Sequence, residues 1–212
     1  MTIRKCLIAS AAILLLSAPL PRAVAQSPAP SWSQDDTTRI VGDVQKKLRN
    51  LTNYQVFDWL TFGIHGKTLV LSGYASRPTL KDDAERAVKG IPGIEAVENN
   101  IEVLSSSPND DRIRASVYSR IYTSSVLRKY NANAGSSYRG PSVARMAGGI
   151  TADPPIGFHA IHIIVNGGHV KLYGAVLNES DAAIANMQAN SAPGTFSVDN
   201  NLDIEGSKPS GK

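Results

Sequence analysis

Six side chains between residues 112 and 129 are the ones whose types and spacing could act together. At 100° per residue, Ile113, Val117, Ile121 and Leu127 gather on one side of a predicted helix. Tyr118, Tyr122 and Val126 fall nearly opposite, with Lys129 beside them. Arg112 and Arg114 flank the start of this second face, and Arg128 lies near its end. Tyrosines bordered by cations suit a membrane interface, where rings sit at headgroup depth and cations meet phosphates. On that reading Arg112, Arg114, Tyr118, Tyr122, Val126 and Lys129 would contact anionic phospholipid, with modest affinity that falls with salt. The competing reading packs Tyr118 and Tyr122 inside, against the preceding half of the chain or under the segment that follows.

Other reactive types are scattered. The four histidines are His65, His159, His162 and His169. His159 and His162 are three apart on a predicted strand and so face opposite ways, which is not a metal-binding spacing. There is no G-x-S-x-G elbow and no motif-supported Ser/His/Asp set. Asp82 and Asp83 sit near a predicted helix N-terminus, where carboxylates stabilise the dipole. Gly148-Gly149 lacks the Lys-Ser/Thr of a phosphate loop. No catalytic residue, metal or cofactor is expected. A hydrolase would need a concave site with convergent histidine and carboxylate groups.

Composition narrows the partners. Residues 1–25 read as a secretory signal: Arg4 and Lys5, an apolar run from Leu7 to Leu16, then Ala23-Val24-Ala25 before Gln26. The formal charge of +4 includes Arg4, Lys5 and Arg22, and removing these three leaves +1, with no bulk attraction for nucleic acid. Cys6 is the single cysteine, so the mature chain holds no disulfide or thiolate site. No later apolar stretch is long enough to span a bilayer. The expected route is secretion.

These side chains are carried on a duplicated frame. Phe57–Val103 repeats as Phe158–Ile204, at an offset of 101 residues at both ends. Matching pairs include Gly73/Gly174, Pro92/Pro193, Gly93/Gly194, Asn99/Asn200 and Asn100/Asn201. Each unit reads as α-β-β-α-β. In the first, a helix over Thr37–Asn50 precedes strands over 56–64 and 68–74, a helix after Ser76 and a strand over 94–104. In the second, a helix opening at Asp110 or Asp111 is followed by strands over 158–165 and 169–176, a helix over 179–190 and a strand over 195–204. Arg39-Ile40 matches Arg112-Ile113 at an offset of 73, which leaves 28 extra residues in the second unit, placed in the Gly/Ser-rich stretch 131–157 and read as a mobile loop. Asp181 replaces Leu80, which predicts shallower packing there.

The strand ending L-x-L-x-G, the P-G-x-x-x-V-x-N-N-[IL]-x-[VI] close, the element order and the duplication behind a signal resemble the BON domain, named for bacterial osmotically inducible and nodulation proteins. The resemblance implies an α+β fold of two tandem α-β-β-α-β units, each a small three-stranded mixed sheet with two helices on one face. It implies domains over 36–104 and 110–205 (the latter holding the insertion 131–157), a leader 26–35, a linker 105–109 and a disordered tail 206–212. It also implies a non-enzymatic periplasmic protein that binds phospholipid and supports envelope integrity or the response to osmotic stress. The alternative is a protein-interaction or chaperone-like module of the envelope. Gly73, Pro92, Gly93, Asn99, Asn100, Gly174, Pro193, Gly194, Asn200 and Asn201 are read as structural turn residues whose asparagines bond local backbone.

Overall fold

Each alternating strand pattern finds its partner within its own repeat. In the computed structural model, which describes residues 32–131, 149–151, 154–155 and 158–206, the first unit runs α1 (Gln34–Arg49), β1 (Trp59–His65), β2 (Thr68–Ala75), α2 (Pro78–Lys89) and β3 (Ala96–Val103). The second runs α3 (Pro108–Thr123), a short 3-10 turn (Leu127–Tyr130), β4 (Ile161–Asn166), β5 (His169–Val176), α4 (Glu179–Asn190) and β6 (Ser197–Ile204). The signal segment 1–25, most of the leader, most of the insertion and the tail from 207 lie outside the described residues. Among the described residues no helix is long and apolar enough to cross a membrane.

The sheets have orders β1-β2-β3 and β4-β5-β6. In each, a hairpin pairs antiparallel and the crossover helix returns a parallel third strand. Leu69, Leu71 and Ile101 point to the helix side and meet Ile40, Val44, Leu80, Ala84 and Val88. Leu172, Val170 and Ile163 do the same with Ile113, Val117, Ile121 and Ala185. Gly73 and Gly174 are obligatory: at φ +115 and +117, an added Cβ would lie 2.0 Å from the Trp59 carbonyl oxygen and 1.9 Å from that of Ala160. Gly93 and Gly194 also take positive φ where the crossover helix turns into the third strand.

The asparagines do more than the local bonding read from sequence. Asn99 Nδ2 donates to the Lys81 carbonyl at 3.0 Å while its Oδ1 accepts from the Ile101 N–H at 3.3 Å. Asn200 repeats this with Ala182 and Leu202. These two residues rivet the third strand to the crossover helix. Asn100 and Asn201 instead face outward, toward Glu98 and Asp199.

Several element ends differ from the sequence reading. α1 begins three residues earlier, because Ser33 caps it by accepting the Asp36 N–H. α3 begins at Pro108, capped by Ser107. Residues 56–58 are not strand. They form a tight turn closed by the Asp58 N–H on the Gln55 carbonyl at 3.0 Å. Asp58 is buried at the base of that turn, accepting from the N–H groups of Gln55 at 2.9 Å and Ser76 at 2.6 Å. Burial pushes its carboxyl above the usual range, and those donors with Arg77 oppose the shift.

Candidate interaction site

A strand at a sheet edge leaves alternate N–H and C=O groups unpaired, and something must cover them. In β4 the outward groups belong to Ile161, Ile163 and Val165, and four of the six are met. The Tyr122 hydroxyl donates to the Ile161 carbonyl at 2.6 Å and accepts the Ile161 N–H at 3.1 Å. The Val56 carbonyl accepts the Ile163 N–H at 2.8 Å. Arg114 donates to the Val165 carbonyl at 2.6 Å. The edge is sealed by one helix face and by a turn borrowed from the other unit.

This overturns the exposed tyrosine face. α3 carries two buried stripes, one against its own sheet and one along the β4 edge. Arg114 (2% exposed), Tyr118 and Tyr122 all lie in the second stripe. Arg114 also pairs with Asp111 at 2.7 Å, and Tyr118 bonds His159 Nε2 at 3.0 Å. Burial drives the Tyr122 phenol far above its ordinary value. Of the six residues read as a lipid contact, only Arg112, Val126 and Lys129 reach solvent. Lys129 is held by the Asp181 carboxylate at 2.7 Å. Its hydrogen bond, with that of Tyr130, keeps Asp181 below the usual carboxylate range. That trio is how the second unit fills the place of buried Leu80: Asp181 is also buried, with every partner polar.

The borrowed turn joins the units. Phe57, fully buried, lies in the core of the second unit, with its ring edge-on to Tyr118 at 6.3 Å. Beside it the outer faces of the two sheets meet at one corner. Trp59 stacks on Tyr173 at 5.3 Å and 7°. Lys171 reaches the Tyr74 hydroxyl at 2.7 Å, and Asn166 donates to Glu102 at 3.1 Å. His162 is clasped between Tyr54 and Trp59, each 5.3 Å away, with Nδ1 3.2 Å from the Gln55 carbonyl. Burial lowers its pKa to about 4, so the ring is neutral and Nδ1 donates. The strand begins at Ile161, so His159 precedes it rather than lying on it, and it packs against Tyr118 and Tyr122.

A cleft at this corner is lined by Tyr74, Glu102, His169, Lys171 and Asp199. His169 Nδ1 lies 2.7 Å from Ser197 Oγ, across adjacent strands. Both side chains are in contact with solvent, and among the described residues no carboxylate bonds the other ring nitrogen. The pair lacks the orienting group and the water exclusion that nucleophilic catalysis uses.

The first unit has the same edge without the same seal. Its outward groups on β1 belong to Leu60, Phe62 and Ile64, the repeat partners of Ile161, Ile163 and Val165. Tyr54 accepts the Leu60 N–H. Among the described residues no group bonds the outward backbone of Phe62 or Ile64. At the 73-residue offset, Val41, Gln45 and Arg49 stand where Arg114, Tyr118 and Tyr122 stand in α3. Gln45 and Arg49 are exposed, and α1 packs chiefly on α2 whereas α3 packs along β4. Leu51, Leu60, Phe62 and Ile64 are left half-buried beside the open edge. The sequence signal for this site was available in the helix comparison, where Gln45 and Arg49 replace two tyrosines.

No curated protein matches the chain. Among solved structures, two of CdsD, a structural protein of the type III secretion system of Chlamydia trachomatis, align with TM-scores of 0.25 and identities of 11% and 14%. They cover 78% and 82% of this chain and 92% and 99% of theirs. Likeness at that level carries no argument. The BON domain family model matches residues 63–105 and 147–206, one region in each repeat. With its matched regions falling on two α-β-β-α-β units, the chain belongs to the BON domain family as a tandem pair.

Proposed function

We propose that the chain is a non-catalytic binding module of the cell envelope that works through protein partners. BON domains are a binding family typical of periplasmic proteins. The observation that carries the reading is the contrast between the two edges. The tyrosines and arginine that could have met lipid are used to seal β4, while β1 keeps an open edge with half-buried apolar side chains beside it. An open strand edge recognises another polypeptide through its backbone. The outer faces of β3 and β6 carry Glu98, Glu102, Asp199 and Asp203, which repel an anionic bilayer.

A second reading keeps phospholipid as the ligand on a different surface. Phe158 (67% exposed) and Leu177 (54%) project at the end of the second unit where Lys129 and Tyr130 cross between them. Apolar side chains with a nearby cation could insert into a headgroup layer.

A photo-crosslinking residue at Gln45, exposed on α1 at the repeat position of Tyr118, is compared in cells with one at Arg86 on the solvent side of α2. Protein adducts at 45 and none at 86 are expected. Alongside, the chain from Gln26 is co-sedimented with anionic and zwitterionic vesicles at low and high salt. Salt-sensitive binding to anionic vesicles with no protein adduct at 45 would refute the first reading in favour of the second.

A further inference from the structure

The turn Gln55–Asp58 belongs to the first unit by sequence and to the second by packing. It works as a plug: the Phe57 ring fills the space beside Tyr118, and the Val56 carbonyl takes the Ile163 N–H. The repeat supplies a second plug. Phe158 occupies the position of Phe57 at the 101-residue offset, yet it is 67% exposed where Phe57 is 0% exposed. The repeat also supplies a second socket, the open β1 edge. By the repeat offsets the Phe62 N–H corresponds to the Ile163 N–H, and Gln45, exposed on α1, corresponds to Tyr118. Among the described residues each molecule therefore carries one filled plug-and-socket joint, one exposed phenylalanine at the plug position and one unbonded edge at the socket position.

We propose that Phe158 of one copy docks beside β1 of a second copy, repeating between molecules the joint that Phe57 makes within one. This deepens the protein-partner reading and rests on it, naming the partner as the chain itself. The chemistry matches on both sides. The plug offers an aromatic ring, and the socket offers Leu51, Leu60, Phe62 and Ile64, packed on the first unit's core and only half-buried. The charges near the contact are paired or in solvent: Gln45 is neutral, Arg49 is exposed, and Lys129 is already paired with Asp181. Plug and socket are different surfaces, so a single contact is heterologous and leaves one plug and one socket for a further copy. The internal joint sets the direction, first unit into second. The external joint continues it, second unit into the next first unit, giving head-to-tail chains.

Two variants separate the halves of the contact. Phe158→Ser removes the plug, and Gln45→Trp puts bulk where the incoming ring would lie. Both positions are exposed, so both variants keep the fold, which circular dichroism verifies. In sedimentation velocity over rising concentration, the wild type is expected to form species beyond the dimer. Each variant alone stays monomeric, its association weakened by roughly thirtyfold or more. An equimolar mixture of the two forms a 1:1 dimer and nothing larger, because one intact plug and one intact socket remain between them. A wild type monomeric throughout, a mixture that stays monomeric, or assembly by either variant alone would overturn the proposal. Foreign protein adducts at position 45 with a monomeric wild type would defeat this inference and leave the protein-partner reading standing. Loss of vesicle binding in Phe158→Ser, with no self-association of the wild type, would assign Phe158 to lipid instead.

Discussion

Phe57→Ala tests whether one unit completes the other. Phe57 is written into the first repeat but is fully buried in the hydrophobic cluster of the second, among Tyr118, Tyr122, Ile161 and Ile163. A phenylalanine buries on the order of 150–200 Å², worth about 4–5 kcal/mol at roughly 25 cal/mol per Å². Measured Phe→Ala losses in cores run about 3–5 kcal/mol, so the two routes agree. That is a large fraction of a domain's roughly 5–15 kcal/mol. The loss should fall on the second unit, because the core of the first contains no atom of Phe57. Urea unfolding followed by tryptophan fluorescence is the assay, since Trp59 sits at the joint, stacked on Tyr173. The wild type should unfold in one transition. The variant should show two, with the second unit leaving first, and faster amide exchange at Ile163 as its Val56 acceptor loosens. A shift under about 1 kcal/mol, or a loss confined to residues 34–103, would refute the claim that the turn is part of the second core.

Three further outcomes follow from the same contacts. Tyr122→Phe keeps the ring and deletes the hydroxyl that serves both groups of Ile161, so about 1–3 kcal/mol should be lost and the Ile161 amide should exchange faster. Arg114→Leu strands the Asp111 carboxylate and the Val165 carbonyl, and should cost about 3–5 kcal/mol in urea unfolding, unlike the near-silent loss of a surface arginine. His162 is held neutral by burial, with a folded pKa of about 4 against the ordinary 6.5. The unfolded chain therefore takes up the proton first, and stability should fall as pH drops from about 6.5 to 4, by roughly 3 kcal/mol at most. His162→Gln should flatten that part of the stability–pH curve, and an unchanged slope would refute the assignment.

The repeat made the fold readable because its marks are backbone necessities. Gly73 and Gly174 cannot carry a Cβ against the neighbouring strand, so the same glycine recurs at the same strand position. Burial stripes such as Ile40–Val44–Leu48 are periodic and local, and the helices follow. The site was harder to read for a physical reason. A helix wheel separates inside from outside only when a helix has one buried side. α3 has two, and the second is set by a partner far along the chain: the β4 edge and a turn more than fifty residues earlier. Tyrosine and arginine serve a membrane interface and a strand edge by the same property, an apolar body ending in a hydrogen-bonding tip. Composition therefore could not separate the two uses. What could was the difference between α1 and α3 at equivalent positions, since a duplicated helix that gains tyrosines has gained something to cover.

The two copies differ in how they use their polar groups. In the first unit the crossover turn and the hairpin tip are tied by Lys67 and Glu95 at 2.7 Å. In the second, the equivalent positions are Gly168 and Phe196, and Phe196 lies so close over Gly168 that a Cβ there would come within 2.4 Å of its ring. Where the first unit has Leu80 the second has Asp181, held by a tyrosine, a lysine and an asparagine of the second unit alone. These exchanges consumed the second unit's polar groups internally, and its β4 edge closed. The first unit kept charge on its surface and left its β1 edge open. A pair of identical units would either both seal or both aggregate edge to edge. Asymmetric copies avoid both outcomes: one edge is spent inside the molecule, and among the described residues the other keeps the outward backbone of Phe62 and Ile64 unbonded.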